Sequence, residues 1–215
     1  MHCTRIVAIR HGETAWNRDT RIQGHMDIPL NETGHWQARR TAEALRAEDV
    51  AAIYASDLSR AHQTASAIAE ALGQPVRHHT GLRERGFGVF EGKTWAEIEV
   101  EHPHVAQAWR QRIPAFAPQG GESLLMLRDR VEQTIHELAR RHLGEQIVVV
   151  AHGGVLDMLY RAATRMDLQA PRTWTLANAS INRVLWSSEG LSLVGWGDTA
   201  HLQTEPGAVL DERLA

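Results

Sequence analysis

Apolar and polar positions follow two periods along this chain. Short continuous apolar runs cover residues 4–9, 51–55 and 146–151 and read as buried strands. A short third strand is expected to begin at Val76, and two β-rich segments cover 180–186 and 191–196. Elsewhere apolar positions recur every three or four residues. Ala38, Thr41, Ala42 and Leu45 predict a helix over 31–47. Ala61, Thr64, Ala65, Ile68 and Leu72 predict another, capped by Ser56 or Asp57. Leu124, Leu127, Val131, Ile135 and Leu138 predict a long helix over 122–142, and a further helix covers 155–164. Two short helices, 94–101 and 105–112, flank His102-Pro103-His104. Residues 15–30 are polar, Gly/Pro-punctuated and without helical period, so they read as a loop. From Gly197 onward the chain reads as an irregular tail. Strands alternating with helices predict an α/β fold, with a cap over the end of the sheet between Thr94 and Gly121.

Two of the strands run into histidine: Arg10-His11-Gly12-Glu13-Thr14 and Ala151-His152-Gly153-Gly154. Open α/β sheets bind ligands at the carboxyl ends of their strands. Gly12 is expected to turn the backbone sharply and bring it close to a ligand. Arg10 supplies a planar fork for phosphate oxygens, and His11 a nitrogen nucleophile. Arg60 falls in the first turn of a helix, where a cation opposes the macrodipole, so a bound anion explains it better than local stability. In the loop after His11, Asn17 and Gln23 offer amide groups and Gly24 an unobstructed N–H, with a merely solvated loop an equal alternative. Glu84 stands between Arg83 and Arg85, which by itself describes a surface ion pair.

Taken together, Arg10, His11, Arg60, Glu84 and His152 suit phosphoryl transfer. Two arginines and a second histidine clamp the oxygens, His11 attacks phosphorus, and a protonated Glu84 serves the leaving alcohol. No Asp/Glu cluster for Mg²⁺ is evident.

Composition narrows the classes. The 215 residues are 43% hydrophobic and 23% charged, which fits one globular domain over 1–215 with a short cap region at about 93–121. A net charge of −3 gives no basic field for nucleic acid. The single Cys3 excludes an internal disulfide framework. No signal-like apolar stretch follows Met1, and the apolar runs are too short to span a bilayer, so no membrane association and a cytoplasmic location are expected. The pairs His78-His79 and His102-Pro103-His104 lack metal-ligand spacing, so no metal site is expected.

The residues in order also resemble the histidine phosphatase superfamily, in its phosphoglycerate-mutase-like branch. The matching stretches are Arg10-His11-Gly12-Glu13, Arg21-x-x-Gly24-x-x-Asp27-x-Pro29-Leu30, Ser56-Asp57-Leu58-x-Arg60-x-x-x-Thr64-Ala65 and Leu82-x-Glu84. Gly88-x-x-Glu91-Gly92, Gly121-Glu122-Ser123 and Ala151-His152-Gly153 complete them. The resemblance implies a three-layer α/β/α fold with a mostly parallel central sheet, an antiparallel edge strand and a small inserted cap. It implies that His11 is the phosphorylated nucleophile and Glu84 the acid/base. Arg10, Arg60 and His152 then bind phosphate, helped by Asn17 and Gly153.

A metal-independent phosphomonoesterase acting on a small phosphorylated metabolite, with no cofactor, is the implied function. The alternative is a phosphoglycerate mutase dependent on 2,3-bisphosphoglycerate, which Trp109-Arg110-Gln111-Arg112 partly resembles. The short stretch between Glu84 and His152, and Arg21-Ile22-Gln23-Gly24, favour the phosphatase. A phosphate-binding module without catalysis is a third reading, which the presence of all five key residues disfavours. The sequence carries no sign of oligomeric state.

Overall fold

The apolar runs pair into one mixed sheet in the computed structural model, which describes residues 3–203. Its strands are β1 (Thr4–Arg10), β2 (Ala52–Ala55), β3 (Val76–His78), β4 (Gln146–Ala151), β5 (Ile181–Ser187) and β6 (Gly190–Asp198). They lie in the order β3-β2-β4-β1-β5-β6. β1 and β4 are parallel neighbours at the centre, with Ile6 opposite Ile147 and Arg10 opposite Ala151. β2 runs parallel to β4 and β3 parallel to β2. β5 is antiparallel to β1, and β6 closes that edge antiparallel to β5.

The continuous apolar run of β4 follows from burial on both faces. Ile147 and Val149 join a cluster with α6 (Leu124–Ala139) and α7 (Gly153–Thr164). Val148 and Val150 join a second cluster with α2 (Glu32–Leu45) and α3 (Ser59–Leu72). Helices on both faces make three layers, as expected. A third, smaller cluster of Phe90, Ile98 and Ala106 holds α4 (Trp95–Glu101) and α5 (Pro103–Arg110) over the carboxyl end of the sheet. Among the described residues no helix is long and apolar enough to cross a membrane.

Several local expectations change. The stretch expected to be only loop contains a one-turn helix, α1 (Ala15–Arg18), closed by a reciprocal cap between Thr14 and Asn17. One turn is too short to show a helical period. α3 is capped neither by Ser56 nor by Asp57. Asp27, from the loop before α2, accepts from Ser59 N at 2.7 Å and from Ser59 Oγ at 2.8 Å. Asp57 instead pairs with Arg83. α6 ends at Ala139, short of residue 142, and α7 begins two residues before Val155. β6 continues through Asp198 and a 3₁₀ turn follows at Ala200–Leu202, so the expected tail starts later. The remainder of that tail lies outside the described residues.

Gly12 also has a different reason from the one expected. A Cβ there would lie 2.5 Å from the carbonyl oxygen of Gly34, in the first turn of α2. A Cβ on Gly34 would lie 2.1 Å from the carbonyl oxygen of Glu13. Two backbones pack face to face here, and the absence of both side chains lets α2 seat against the turn that carries His11. Gly34→Ala forces backbone to move and is expected to cost about 1–3 kcal/mol, a fall in Tm of roughly 2–10 °C. Gly195→Ala, whose Cβ meets nothing within 4 Å, is the matched control and is expected to melt close to the parent. Thermal denaturation of the two variants checks this.

Candidate active site

The parallel register of β1 and β4 delivers the two His-Gly turns side by side. His11 N–H donates to Ala151 O at 3.0 Å, and the His11 and His152 ring centroids are 5.2 Å apart. Both rings are buried. His11 Nδ1 lies 2.7 Å from Gly12 O. A carbonyl only accepts, so Nδ1 carries the proton and Nε2 keeps its lone pair. Burial first, then the charges of Arg60 and Arg10, hold the His11 pKa well below the ordinary histidine value, with the Gly12 bond acting the other way. His152 is held down by burial, then Arg60, His11 and Arg10. Neither ring nitrogen of His152 has a hydrogen-bond partner among the described residues.

Arg10 leaves the end of β1 and donates through Nη1 to Leu176 O. Arg60 is fully buried on α3 and donates to Met26 O and Gly24 O, both at 2.8 Å, while its Nε has no partner among the described residues. Burial lowers its pKa to about 10, so it stays cationic at neutral pH. Gly24, at φ +52°, thus gives its carbonyl to Arg60, and the space of a Cβ there is taken by Glu91. Asn17 Oδ1 accepts from Thr14 N at 3.0 Å and from Asn178 Nδ2 at 3.3 Å. Gln23 is buried, and its Oε1 has no partner among the described residues.

Glu84 is not the surface ion-pair member that its neighbours in sequence describe. Arg83 turns away to Asp57, and Arg85 lies over the ring of Trp109. The Glu84 carboxylate accepts from Gly154 N at 3.0 Å and from Arg85 N at 2.7 Å. A Cβ on Gly154 would stand 2.3 Å from Glu84 Oε1, so the second glycine after His152 is needed for the carboxylate to dock. Behind it, Arg130 on α6 donates to the carbonyls of Gly81, Arg83 and Glu84 and pairs with Glu122 at 2.6 Å.

A cavity of about 410 Å³ opens where these groups converge. Arg10, His11, Asn17, Gln23, Gly24, Arg60, Glu84 and Gly153 all line it. His152 packs against His11 but does not line the cavity. The sequence reading gave no role to Gly154, Arg130 or Asp27, although Asp27 and Gly154 lie in stretches that it quoted. Gly154 stood visible beside Gly153, whereas Arg130 and Asp27 act across distances in the chain that no local pattern records. Among the described residues no group of three or more His, Cys, Asp or Glu is placed to hold a metal ion.

A model of the histidine phosphatase superfamily (branch 1) matches residues 6–199. Phosphoglycerate mutase-like protein 4 of Arabidopsis thaliana is 39% identical over 202 residues, covering 92% of this chain and 86% of its own. A metal-independent phosphoserine phosphatase of Arabidopsis thaliana is 39% identical over 204 residues, covering 94% and 84%. Among solved structures, a mycobacterial glucosyl-3-phosphoglycerate phosphatase complexed with VO3 superposes with a TM-score of 0.82 at 33% identity, covering 91% of this chain and 99% of that one.

The two buried histidines set a pH dependence. Their native pKa values lie below the ordinary 6.5, so the unfolded chain binds more protons as pH falls from 7 toward 5. Stability of the ligand-free protein therefore drops over that range, by up to about 1.4 kcal/mol per pH unit for each ring. Urea titrations at pH 7, 6 and 5 read this slope. In His152→Asn the slope is expected to be shallower by about one proton; an unaltered slope would mean that His152 does not titrate between the two states.

Proposed function

Because this chain belongs to the histidine phosphatase superfamily, we propose that it hydrolyses phosphomonoesters of small metabolites through a phosphohistidine formed on His11. The observation that carries the reading is the state of the His11 ring. The Gly12 carbonyl accepts a hydrogen bond from Nδ1–H, burial keeps the ring neutral, and His11 lines the cavity together with Arg10 and Arg60. A neutral imidazole in that setting is a nucleophile without a separate base.

In the first step His11 Nε2 attacks phosphorus and the ester P–O bond breaks. Glu84 supplies a proton to the departing alkoxide. In the second, water attacks the phosphohistidine, Glu84 takes its proton, the N–P bond breaks and inorganic phosphate leaves. Arg10 and Arg60 neutralise the phosphoryl oxygens in the transition state, where fixed charges away from water are worth most. His152, packed behind the cavity with its ring centroid 5.2 Å from that of His11, offers the phosphohistidine a ring N–H that has no partner among the described residues. Asn17, Gln23, Gly24 and Gly153 frame the phosphate pocket. No metal takes part in this scheme, in keeping with the name of the metal-independent Arabidopsis relative.

Water as the acceptor is favoured over a second substrate oxygen by the ion pairs of the proposed cap, residues 93–121. A mutase needs cap cations to fix its substrate while excluding solvent. Here Lys93 is paired with Glu101, Arg110 with Glu99 and Arg112 with Asp157. The cap's arginines and its lysine are thus committed to the protein itself.

His11→Ala is expected to abolish an acid-labile, base-stable phosphoryl label and to lower kcat by roughly 10³-fold or more, and EDTA to leave the parent's rate intact. Near-parent turnover by the variant, or a rate lost to chelator and restored by Mg²⁺, would refute the scheme. Glu84→Gln keeps the carboxylate's shape but cannot donate a proton. Its kcat is expected to fall more on alkyl phosphates than on p-nitrophenyl phosphate, whose leaving group needs no proton. Equal losses on both would make Glu84 a structural residue.

A further inference from the structure

The cavity at His11 does not end at the phosphate residues. A neighbouring cavity of about 640 Å³ lies under the proposed cap and shares seven lining residues with it, among them Arg85, Trp95, Trp109, Arg112 and Arg172. Each alone falls in the range of about 300–1,000 Å³ that pockets for drug-sized ligands occupy. A three-carbon acid held by its phosphoryl group at His11 leaves most of this space unfilled.

The shared wall has a definite chemistry. The Trp109 ring centroid lies 5.3 Å from that of Phe87 and 6.0 Å from that of Trp95. The Arg85 guanidinium sits 4.2 Å from the Trp109 centroid. Arg85 is only 5% exposed. Its Nε donates to Glu122 O at 2.8 Å and its Nη2 to Phe116 O at 3.2 Å, and its Nη1 makes no hydrogen bond among the described residues. It forms no ion pair among them either; Glu122 and Glu84 act on it only at longer range. Burial, then the charge of Arg112, lowers its pKa to about 10, which leaves it cationic at neutral pH. Arg112 differs: its charge meets Asp157 at 3.0 Å. A buried cation without a carboxylate is costly to keep, and a ligand anion would relieve that cost.

We propose that this wall is the subsite for the leaving alcohol, and that the alcohol carries both a ring and an anionic group. The ring lies against Trp95 and Trp109, and the anion takes the Nη1 donor of Arg85. The inference rests on the phosphatase reading above. An aromatic ring and a sugar ring both satisfy the stacking chemistry, so the test separates them.

The experiment compares matched phosphomonoesters on the full chain: phenyl phosphate with 4-carboxyphenyl phosphate, glucose 1-phosphate with glucuronic acid 1-phosphate, and phosphoserine as the small acid. KM is the main readout, because the carboxylate also alters the acidity of the leaving phenol. In at least one ring pair the acid is expected to have a KM lower by about 10-fold or more and a kcat/KM above that of phosphoserine. The pair that responds identifies the ring. Arg85→Gln, confirmed as folded by thermal melting, is expected to reduce the advantage of the acid to about twofold or less. No advantage of the acid in either pair, phosphoserine turned over as well as the ring acids, or an advantage that survives Arg85→Gln would each overturn the subsite. In those outcomes turnover through His11 leaves the phosphatase reading standing. Turnover of no ester, with no label on His11, would overturn both.

Discussion

The parallel register between β1 and β4 is the constraint on which the site depends. Arg10 lies opposite Ala151, so the residues that follow each strand emerge at the same level, and the His11 N–H closes onto Ala151 O. A shift of one residue would turn every side chain of the strand to the other face. It would also separate the two imidazoles and move Arg10 off the cavity. Both faces of these strands are buried, which makes such a slip costly. Ile6 and Ala8 must meet the α6/α7 cluster, and Val7 and Ile9 the α2/α3 cluster. Core packing and the placement of the site are one requirement.

That coupling explains what was legible in the sequence. Continuous apolar runs and helical stripes record burial, so β1, β2, β4, α2, α3 and α6 are readable from residue types alone. The ends of two of these strands then point to His11 and His152. Features that depend on a partner far away in the chain leave no such trace. The cap of α3 is Asp27, a loop residue, while the plausible local caps Ser56 and Asp57 do other work. Glu84 looks like a surface carboxylate because Arg83 and Arg85 flank it, and only the fold sends those two side chains elsewhere. Gly12 looks like a ligand-facing glycine, yet its missing side chain makes room for Gly34.

The site is also held by polar contacts that act twice. Arg60 projects to the cavity, and its two carbonyl contacts, Gly24 and Met26, belong to the loop that follows α1. Asp27 of the same loop caps α3, the helix from which Arg60 extends. The loop therefore holds the cation, and the cation holds the loop. Arg130 does the same for the acid side by gathering the carbonyls of Gly81, Arg83 and Glu84. The irregular segment around Glu84, between β3 and α4, thereby gains the fixed position that the proposed acid/base residue requires.

Burial gives this site its chemistry at a cost in stability. The same removal from water that keeps His11 neutral also leaves two ring nitrogens of His152 and the Nε of Arg60 without partners among the described residues. Such groups are destabilising in a protein interior unless something satisfies them. Packing elsewhere could remove them, since apolar side chains of similar size would fill the same volume without the penalty. Their position around His11, the proposed nucleophile, gives the penalty a direction. In the proposed scheme the phosphoryl group would meet the cations and the unpartnered ring N–H of His152 together in the transition state, so groups that weaken the empty fold strengthen binding at the reacting phosphorus. Preorganised charge of this kind needs no reorientation during the reaction, which is why it is more effective there than the same residues would be in water.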